Sequence, residues 1–303
     1  MRFKNIIWLI LGVLILAFVY KTTDATALFS LNIPYTILAF LFFFCSTFLW
    51  AIAWARQMQK PALVSMKLNT KALAGFFSPF SIGADALRAY FAKHEHIDAA
   101  EALAASFFVK FLKLLLMVLF LIVSVFLFLG NPEFMKASVL FLSLAVFTLF
   151  GMFILWSFKT KRVIRLFNKL IKREFLPEFR KNFSNYFKSF VSTRTAVVLL
   201  WLLISSIFEI LAVFFLFNAI NFPLTLTHAF IFAAVANSLA LIAATPQGIG
   251  FVEGGGYIIL SFAFFNLGNE LIGTFLITWS IIRVWIPRLI GAVFTWIDSL
   301  NKF

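Results

Sequence analysis

Long apolar runs constrain the fold of this chain more than any other feature of its sequence. Six of them, almost free of charged side chains, lie at about 6–20, 35–55, 102–130, 137–158, 196–217 and 271–297. A helix needs about 20 apolar residues to cross a bilayer, and within lipid it satisfies its backbone polar groups internally. The first run is short and must borrow flanking residues. We therefore predict an all-α polytopic membrane protein with about six spanning helices.

The composition excludes the common soluble classes. The 303 residues are 63% apolar and 13% charged, whereas soluble domains are about 45–50% apolar and about 25% charged. The single cysteine, Cys45, excludes a disulfide framework. A net charge of +14 suggests nucleic acid for a soluble protein, but in a membrane protein cations orient the chain and contact anionic lipid. We expect one integral membrane domain over residues 1–303, with anionic membrane lipids and no nucleic acid as partners.

Lys and Arg residues are unevenly distributed among the segments between the apolar runs. Residues 56–71 hold four and residues 159–195 hold eleven, whereas residues 218–270 hold none. Because cytoplasmic loops carry an excess of Lys and Arg, we predict that 56–71 is a cytoplasmic loop, that 159–195 is also cytoplasmic, and that 218–270 faces the outside. Both termini are then cytoplasmic, and the expected location is the inner, or cell, membrane.

Two more apolar stretches, at 72–92 and 228–268, are interrupted by Pro and Gly. The interrupting residues are Pro79 and Gly83 in the first stretch, and Pro246, Gly248 and Gly250 in the second. The charge distribution requires each stretch to return to the side from which it entered. We therefore predict two re-entrant helical hairpins, the first open to the cytoplasm and the second open to the outside.

The two hairpins indicate an internal inverted repeat. The first unit covers about 35–130 and the second about 196–297, and the span 137–158 between them inverts the second unit. Pro- and Gly-interrupted segments at matching places in two halves mark the binding site of many transporters. The segment 159–195 has the pattern of a basic amphipathic helix on the cytoplasmic leaflet, although a purely topogenic loop explains the same charges.

Charged residues inside apolar segments are costly, and they usually face a cavity or each other. The substrate-binding candidates of this kind are Asp85, Arg88, Lys110, Glu253 and Arg283. Asp85 and Arg88 stand three residues apart, so that they share a helical face and could pair. Gly248 and Gly250 join the candidates, because free N–H groups at the start of the half-helix that follows attract anions. Such a cavity suits a phosphate headgroup, but Glu253 could instead bind a cation or a proton. We predict no catalytic residue, no metal site and no cofactor.

Three sets of residues carry a resemblance to a known family. They are Pro79, Gly83, Asp85 and Arg88; the motif P-x-G-x-G-x-x-E formed by Pro246, Gly248, Gly250 and Glu253; and Arg283, Pro287 and Gly291 in the last span. They resemble the membrane region of the lysylphosphatidylglycerol synthase family, also called the flippase-like domain family, over nearly the whole chain. Three features depart from the family pattern. Asp85 lies one residue farther from its Gly than is usual. Lys110 and Lys113 stand where an Arg and an Asp are usual, and no soluble aminoacyl-transferase domain is expected.

The resemblance implies the lipid-translocating or transport half of such synthases, without the lipid-modifying chemistry. Our leading hypothesis is a transporter or flippase-like protein that binds or translocates a lipid or another amphiphile between leaflets. Two alternatives stay open. One is a membrane-embedded enzyme acting on lipid phosphate, with Glu253 and Asp85 as acid and base. The other is an accessory subunit that docks a lipid-modifying enzyme through 159–195. The sequence also leaves the oligomeric state open, a homo-oligomer included.

Overall fold

The structure is a computed structural model. It describes residues 30–73, 82–127, 175–222, 224–242, 251–263 and 269–300, together with positions 14, 17, 20, 21, 139 and 142. Regular structure in this part of the chain is helical throughout, which confirms the all-α prediction there. The helices are α1 (Ile33–Met58), α2 (Ala62–Ala72), α3 (Ile82–His94), α4 (Ala99–Leu127), α5 (Phe175–Lys188), α6 (Thr193–Ala219), α7 (Leu226–Ile242), α8 (Phe251–Ala263), α9 (Asn269–Ser280), a π-helical segment (Ile281–Trp285) and α10 (Ile286–Leu300).

Four helical stretches among the described residues are long and apolar enough to cross a membrane. They are α1, Ala99–Val123 within α4, α6, and Glu270–Ile297 from α9 into α10. They coincide with the apolar runs at 35–55, 102–130, 196–217 and 271–297, so these four predicted spans are confirmed as helices of spanning length. The predicted spans 6–20 and 137–158 lie outside the described residues except for isolated positions, and the total of six stays a prediction.

Capping side chains mark where α1 and α6 begin. The side chain of Asn32 accepts a hydrogen bond from the backbone N–H of Tyr35 at 3.4 Å, and the hydroxyl of Ser192 accepts one from that of Thr195 at 3.3 Å. Each bond satisfies one of the four N–H groups that the first turn of a helix leaves without a partner. Both helices therefore start at local signals directly before their apolar runs.

The helices α1 and α6 run antiparallel along their whole length. Near one end the N–H of Asn32 donates to the carbonyl of Ala219 at 2.8 Å, and midway the hydroxyls of Ser46 and Ser205 lie 3.0 Å apart. Small polar residues let two helix backbones approach closely in a membrane and bond across the contact. Ser46 is the fourteenth of the 26 residues of α1, so this serine contact marks the middle of the bundle.

Pairs of short helices stand between the long ones at two places in the chain. The pair α2 and α3 follows α1, and the pair α7 and α8 follows α6. The prediction of a loop at 56–71 is wrong for residues 62–71, which form most of α2. The cytoplasmic side of this segment stays a prediction. Its lysines suggest a solvated loop, but Leu68 and Asn69 are buried against neighbouring helices. The Pro- and Gly-containing breaks at 74–81 and 243–250 lie outside the described residues.

Helices of the first half (α1–α4) and the second half (α6–α10) pack in matching pairs. The long helix α4 packs against α7, the first short helix of the second half, and α10 packs against α2, the first short helix of the first half. Within the halves, α1 packs on α2 and α4, while α6 packs on α7 and α9. Each half therefore ends in a long helical stretch that packs against the first short helix of the other half.

The helix α5 is amphipathic, and its aromatic face packs on α4. The ring of Phe108 contacts those of Tyr186 and Phe187 at centroid distances of 5.7 and 5.4 Å, and Phe107 contacts Phe179 at 5.9 Å. Burial, together with the charge of Glu101, raises the pKa of the Tyr186 phenol above its usual range. The opposite face of α5 exposes charged side chains. This part of the 159–195 segment is thus held to the bundle by apolar packing.

Candidate functional site

A cavity of about 120 Å³ lies between the two halves of the bundle. Ser46, at the middle of α1, forms part of its wall, so the cavity lies at mid-depth. The polar residues that line it are Ser46, Thr47, Asn69, Arg88, Lys110, Lys113, Glu209, Asn237 and Arg283. Phe43 and Trp50 contribute aromatic surface on the α1 side. Both halves therefore supply side chains to one central polar space.

Asp85 organises the charged wall of the first half, which we call the Asp85 cluster. Its side chain is fully buried, with 0% exposure. One carboxylate oxygen accepts hydrogen bonds from Arg88 at 2.7 Å and from the Ser106 hydroxyl at 2.8 Å, and the other accepts from Lys110 at 2.5 Å. Arg88 also donates through Nε to the side chain of Asn69 at 2.9 Å. Two cations share one carboxylate, so the cluster carries net positive charge.

Helical spacing explains how these residues meet. Asp85 and Arg88 are three residues apart on α3, and Ser106 and Lys110 are four apart on α4, so each pair shares one helical face. The pairing of Asp85 with Arg88 that this spacing predicts is present. The guanidinium of Arg88 also lies over the Trp50 ring at 4.4 Å from its centroid, a cation–π contact that partly replaces lost hydration.

Glu209 forms a second buried ion pair, which joins the two halves. Lys113 of α4 donates to Glu209 Oε2 of α6 at 2.8 Å, and Asn237 of α7 donates to the same oxygen at 3.0 Å. The resemblance expects an acid at the position of Lys113. A lysine stands there instead, and the carboxylate that compensates its positive charge is that of Glu209, in the other half of the protein.

Arg283 lies in the π-helical segment of the long last helix. Pro287 lacks an N–H group and so cannot bond to the Arg283 carbonyl four residues earlier, while the N–H of Ile286 donates to the carbonyl of Ile281, five residues earlier. Such π-helical turns occur frequently at functional sites. The Arg283 side chain lines the cavity and is only 7% exposed, and it interacts electrostatically with Glu209 and Glu253.

The two buried acids Asp85 and Glu253 have similar surroundings. Glu253, only 1% exposed, accepts a hydrogen bond from the hydroxyl of Ser280 in α9, the helix that follows α8. Asp85 likewise accepts one from Ser106 in α4, the helix that follows α3. In both halves an asparagine that lines the cavity precedes the acid by 16 residues: Asn69 before Asp85, and Asn237 before Glu253.

The charges around the cavity do not balance. Among the described residues, four cations line it, Arg88, Lys110, Lys113 and Arg283, against one lining carboxylate, that of Glu209. One positive charge remains even when the carboxylates of Asp85 and Glu253 are counted. Buried charges cost free energy unless they are compensated, so the cavity favours an anion. Within the described residues, no three His, Cys, Asp or Glu side chains are grouped so that they could hold a metal ion.

The predicted site residues divide into three groups. Arg88, Lys110 and Arg283 line the cavity. Asp85 and Glu253 are buried beside it, one bound to the lining cations Arg88 and Lys110 and the other in electrostatic contact with Arg283. Gly248 and Gly250 lie outside the described residues. A role of these residues in substrate binding stays a prediction.

Sequence reasoning missed several residues of this site. Asn69, Asn237, Ser106 and Ser280 are ordinary small polar residues in helices, and single occurrences of them carry no signal. The equal spacing of 16 residues from Asn69 to Asp85 and from Asn237 to Glu253 is a signal that a comparison of the two halves can find. Glu209, in contrast, is identified by the sequence as an intramembrane charge, because it is the only charged residue in the run at 196–217.

Comparison with known proteins agrees with the resemblance in the sequence. A family model described as the lysylphosphatidylglycerol synthase TM region matches residues 5–291. The matched range contains both halves of the bundle and every residue that lines the cavity. No individual curated protein matches the chain at a significant level.

Proposed function

The chain belongs to the lysylphosphatidylglycerol synthase transmembrane-region family, and on that premise we propose that it binds a membrane lipid by its headgroup and moves it between leaflets. The observation that carries this proposal is the central cavity, which both halves line with an excess of positive charge. The family and the apolar helices establish a multi-pass membrane protein connected with lipid handling. Translocation is the additional step that we propose.

The packing of the two halves supports an inverted repeat, an arrangement that many transporters use for alternating access to a central site. The equivalent helices α1 and α6 are antiparallel, with Ser46 and Ser205 in contact at their midpoints. In an inverted pair of units these helices cross the membrane in opposite directions. The matched pairing of α4 with α7 and of α10 with α2 is what a two-fold axis through the serine contact produces.

Contacts at the ends of α2 and α3 support a re-entrant first hairpin. Lys67 in the middle of α2 pairs with Glu95, directly after the end of α3, at 3.1 Å. The Trp54 side chain near the end of α1 donates to the carbonyl of Ala102 near the start of α4 at 3.1 Å. Short links join α1 to α2 and α3 to α4, so the ends of α1 and α3 lie together with the starts of α2 and α4. As described, α2 and α3 have 11 and 13 residues and rise about 17 and 20 Å, which is short of a bilayer core of about 30 Å.

The size of the cavity limits which part of a lipid can enter it. A volume of about 120 Å³ admits a headgroup but not acyl chains, which would stay in the surrounding bilayer. Anionic membrane lipids fit the charge of the lining residues. Exposed cations of α5, such as Arg180 and Lys181, would attract the same lipids to the cytoplasmic leaflet, where each basic residue contributes about 1 kcal/mol.

Leaflet exchange in proteoliposomes tests the proposal. Fluorescent phosphatidic acid, phosphatidylglycerol and a polyprenyl phosphate would each be reconstituted with the purified protein, and a membrane-impermeant quencher would report the fraction that changes leaflet. We expect exchange that depends on the protein and is lost in Lys110→Gln. Lys67→Gln, which removes an equivalent charge outside the cavity, should retain it. Failure to exchange any of these lipids would refute translocation, and protein-dependent conversion of the lipid without exchange would favour an enzyme.

Cysteine labelling tests the proposed topology in the inner membrane, with both termini cytoplasmic. Single cysteines would be placed on a Cys45→Ala background and treated with an impermeant thiol reagent from outside. We expect labelling at Asn221, which is exposed after α6, and none at Lys60 or at the exposed His94. Labelling at His94 but not at Lys60 would make the first hairpin a full crossing and would end the inverted-repeat proposal.

A further inference from the structure

Arg283 differs from the other cations of the cavity in its pairing. Arg88 and Lys110 bind Asp85, and Lys113 binds Glu209. Within the described residues Arg283 makes no ion pair at 4.0 Å or less, although it is 7% exposed and lines the cavity. Its electrostatic partners, Glu209 and Glu253, act on it from a greater distance. A buried guanidinium directed into a polar cavity without a contacting carboxylate is arranged to receive an anion.

The carboxylates nearest to Arg283 are already engaged by other donors. Glu253 accepts from the Ser280 hydroxyl, and Glu209 Oε2 accepts from both Lys113 and Asn237. The bond from Asn237 does not depend on Lys113. Glu209 can therefore lose its lysine and still keep one hydrogen-bond donor, so that Lys113 can be transferred to a ligand without leaving this carboxylate unbonded.

The geometry points to a phosphoryl anion as the ligand of this cavity: we infer that it binds to Arg283 and Lys113 and displaces Glu209 from Lys113. The inference rests on the proposed function, because it names the chemical group by which the lipid is recognised. A guanidinium presents paired N–H donors that match two oxygens of a phosphate, and an ammonium adds a point charge. Glu209 then acts as a resident counterion that occupies the site while no ligand is bound.

Displacement would also loosen the contact between the two halves. Lys113 belongs to α4 of the first half and Glu209 to α6 of the second. A phosphoryl group that takes Lys113 breaks this cross-half ion pair and replaces it by its own contacts to Lys113 and Arg283. Binding and the relative movement of the halves are coupled in this way, since the ligand interacts differently with the protein when the Lys113–Glu209 ion pair is intact and when it is broken.

Binding measurements on the full-length protein in detergent test this inference. The probes are short-chain phosphatidic acid, diacylglycerol with the same acyl chains, and inorganic phosphate as a competitor, measured by isothermal titration calorimetry. We expect phosphatidic acid to bind at least tenfold more tightly than diacylglycerol, and inorganic phosphate to compete with it. If phosphate does not compete but phosphatidic acid still exceeds diacylglycerol tenfold, the phosphoryl group is recognised only as part of a lipid. Equal binding of diacylglycerol overturns the inference.

Variants with opposite expected effects separate a displaced counterion from a structural ion pair. Arg283→Gln should weaken phosphatidic acid binding about tenfold or more, since a hydrogen bond to a charged group contributes about 1.5–3 kcal/mol. Glu209→Gln should strengthen it severalfold, because the competing carboxylate is gone while the shape and the bond to Asn237 can remain. Lys67→Gln is the matched control and should bind like the wild type.

Folding of each variant is checked by thermal unfolding with tryptophan fluorescence, and Arg283→Lys provides a second variant that keeps the charge. It should bind with intermediate affinity, because it lacks the paired donors. Unchanged or weaker binding in a folded Glu209→Gln, or wild-type affinity in Arg283→Gln, overturns the inference. Leaflet exchange without this affinity pattern would leave translocation standing and remove the phosphoryl site. The affinity pattern without leaflet exchange would support the phosphoryl site and refute translocation.

Discussion

Asp85→Asn should be the most damaging conservative substitution in the protein. The carboxylate accepts three hydrogen bonds, two of them from the cations Arg88 and Lys110. The amide keeps the shape of the side chain but removes the negative charge that compensates both cations. The positive charges of Arg88 and Lys110 then face each other in a buried space, and the Asp85 cluster contains no other carboxylate.

The structure sets the size of the effect. Removing one partner of a buried ion pair typically costs about 3–5 kcal/mol. The Lys110 side chain retains 14% exposure and can turn into the cavity, whereas the Arg88 side chain, at 5%, is held by Asn69 and Trp50. We therefore expect a loss near the lower end, about 3 kcal/mol of the free energy of unfolding.

Reversible unfolding in mixed micelles measures this loss. Glu95→Gln is the matched control, because its ion pair with Lys67 is largely exposed and such pairs contribute about 0–1 kcal/mol. The double variant Asp85→Asn with Arg88→Gln should recover part of the lost stability, since it removes the guanidinium left without its carboxylate. An Asp85→Asn protein within about 1 kcal/mol of the wild type would show that the cluster is not an interdependent charge network.

Three further substitutions test other parts of the structure. Glu253→Gln should unfold near the wild-type temperature, because its amide oxygen still accepts from the Ser280 hydroxyl, but it should abolish leaflet exchange; full exchange would remove Glu253 from the site. Gly256→Ala should destabilise the protein by about 1–3 kcal/mol, because a Cβ there would lie 2.7 Å from both Leu276 and Phe232; unchanged thermal unfolding would contradict the packing of α8. The raised pKa of the Tyr186 phenol means that stability present below about pH 10 is lost as the pH rises further. Tyr186→Phe should show a smaller loss in alkaline unfolding measurements, and equal losses would contradict the burial of that phenol.

Several properties of the fold follow from the sequence because they depend on local solvation. Apolar runs such as 35–55 and 196–217 must become helices in lipid, since the hydrocarbon offers no partner for the backbone N–H and C=O groups. The i, i+3 spacing of Asp85 and Arg88 determines that they share a face once α3 forms. The prediction of a loop at 56–71 was wrong because it used only local charges. The burial of α2 depends on packing against α10, which is more than 200 residues away in the chain, and a contact over that distance leaves no local sequence pattern.

The partners of the buried charges were decided by the tertiary structure alone. The sequence places Lys113 and Glu209 in separate apolar runs, 96 residues apart, and neither run contains a residue of opposite charge that could pair with them. Only the contact of α4 with α6 brings the ammonium and the carboxylate within 2.8 Å. The same holds for Arg283, whose lack of a contacting carboxylate follows from where the other helices pack. In a membrane, the cost of burying a charge forces it to find compensation, but the sequence does not specify which distant residue, or which ligand, supplies it.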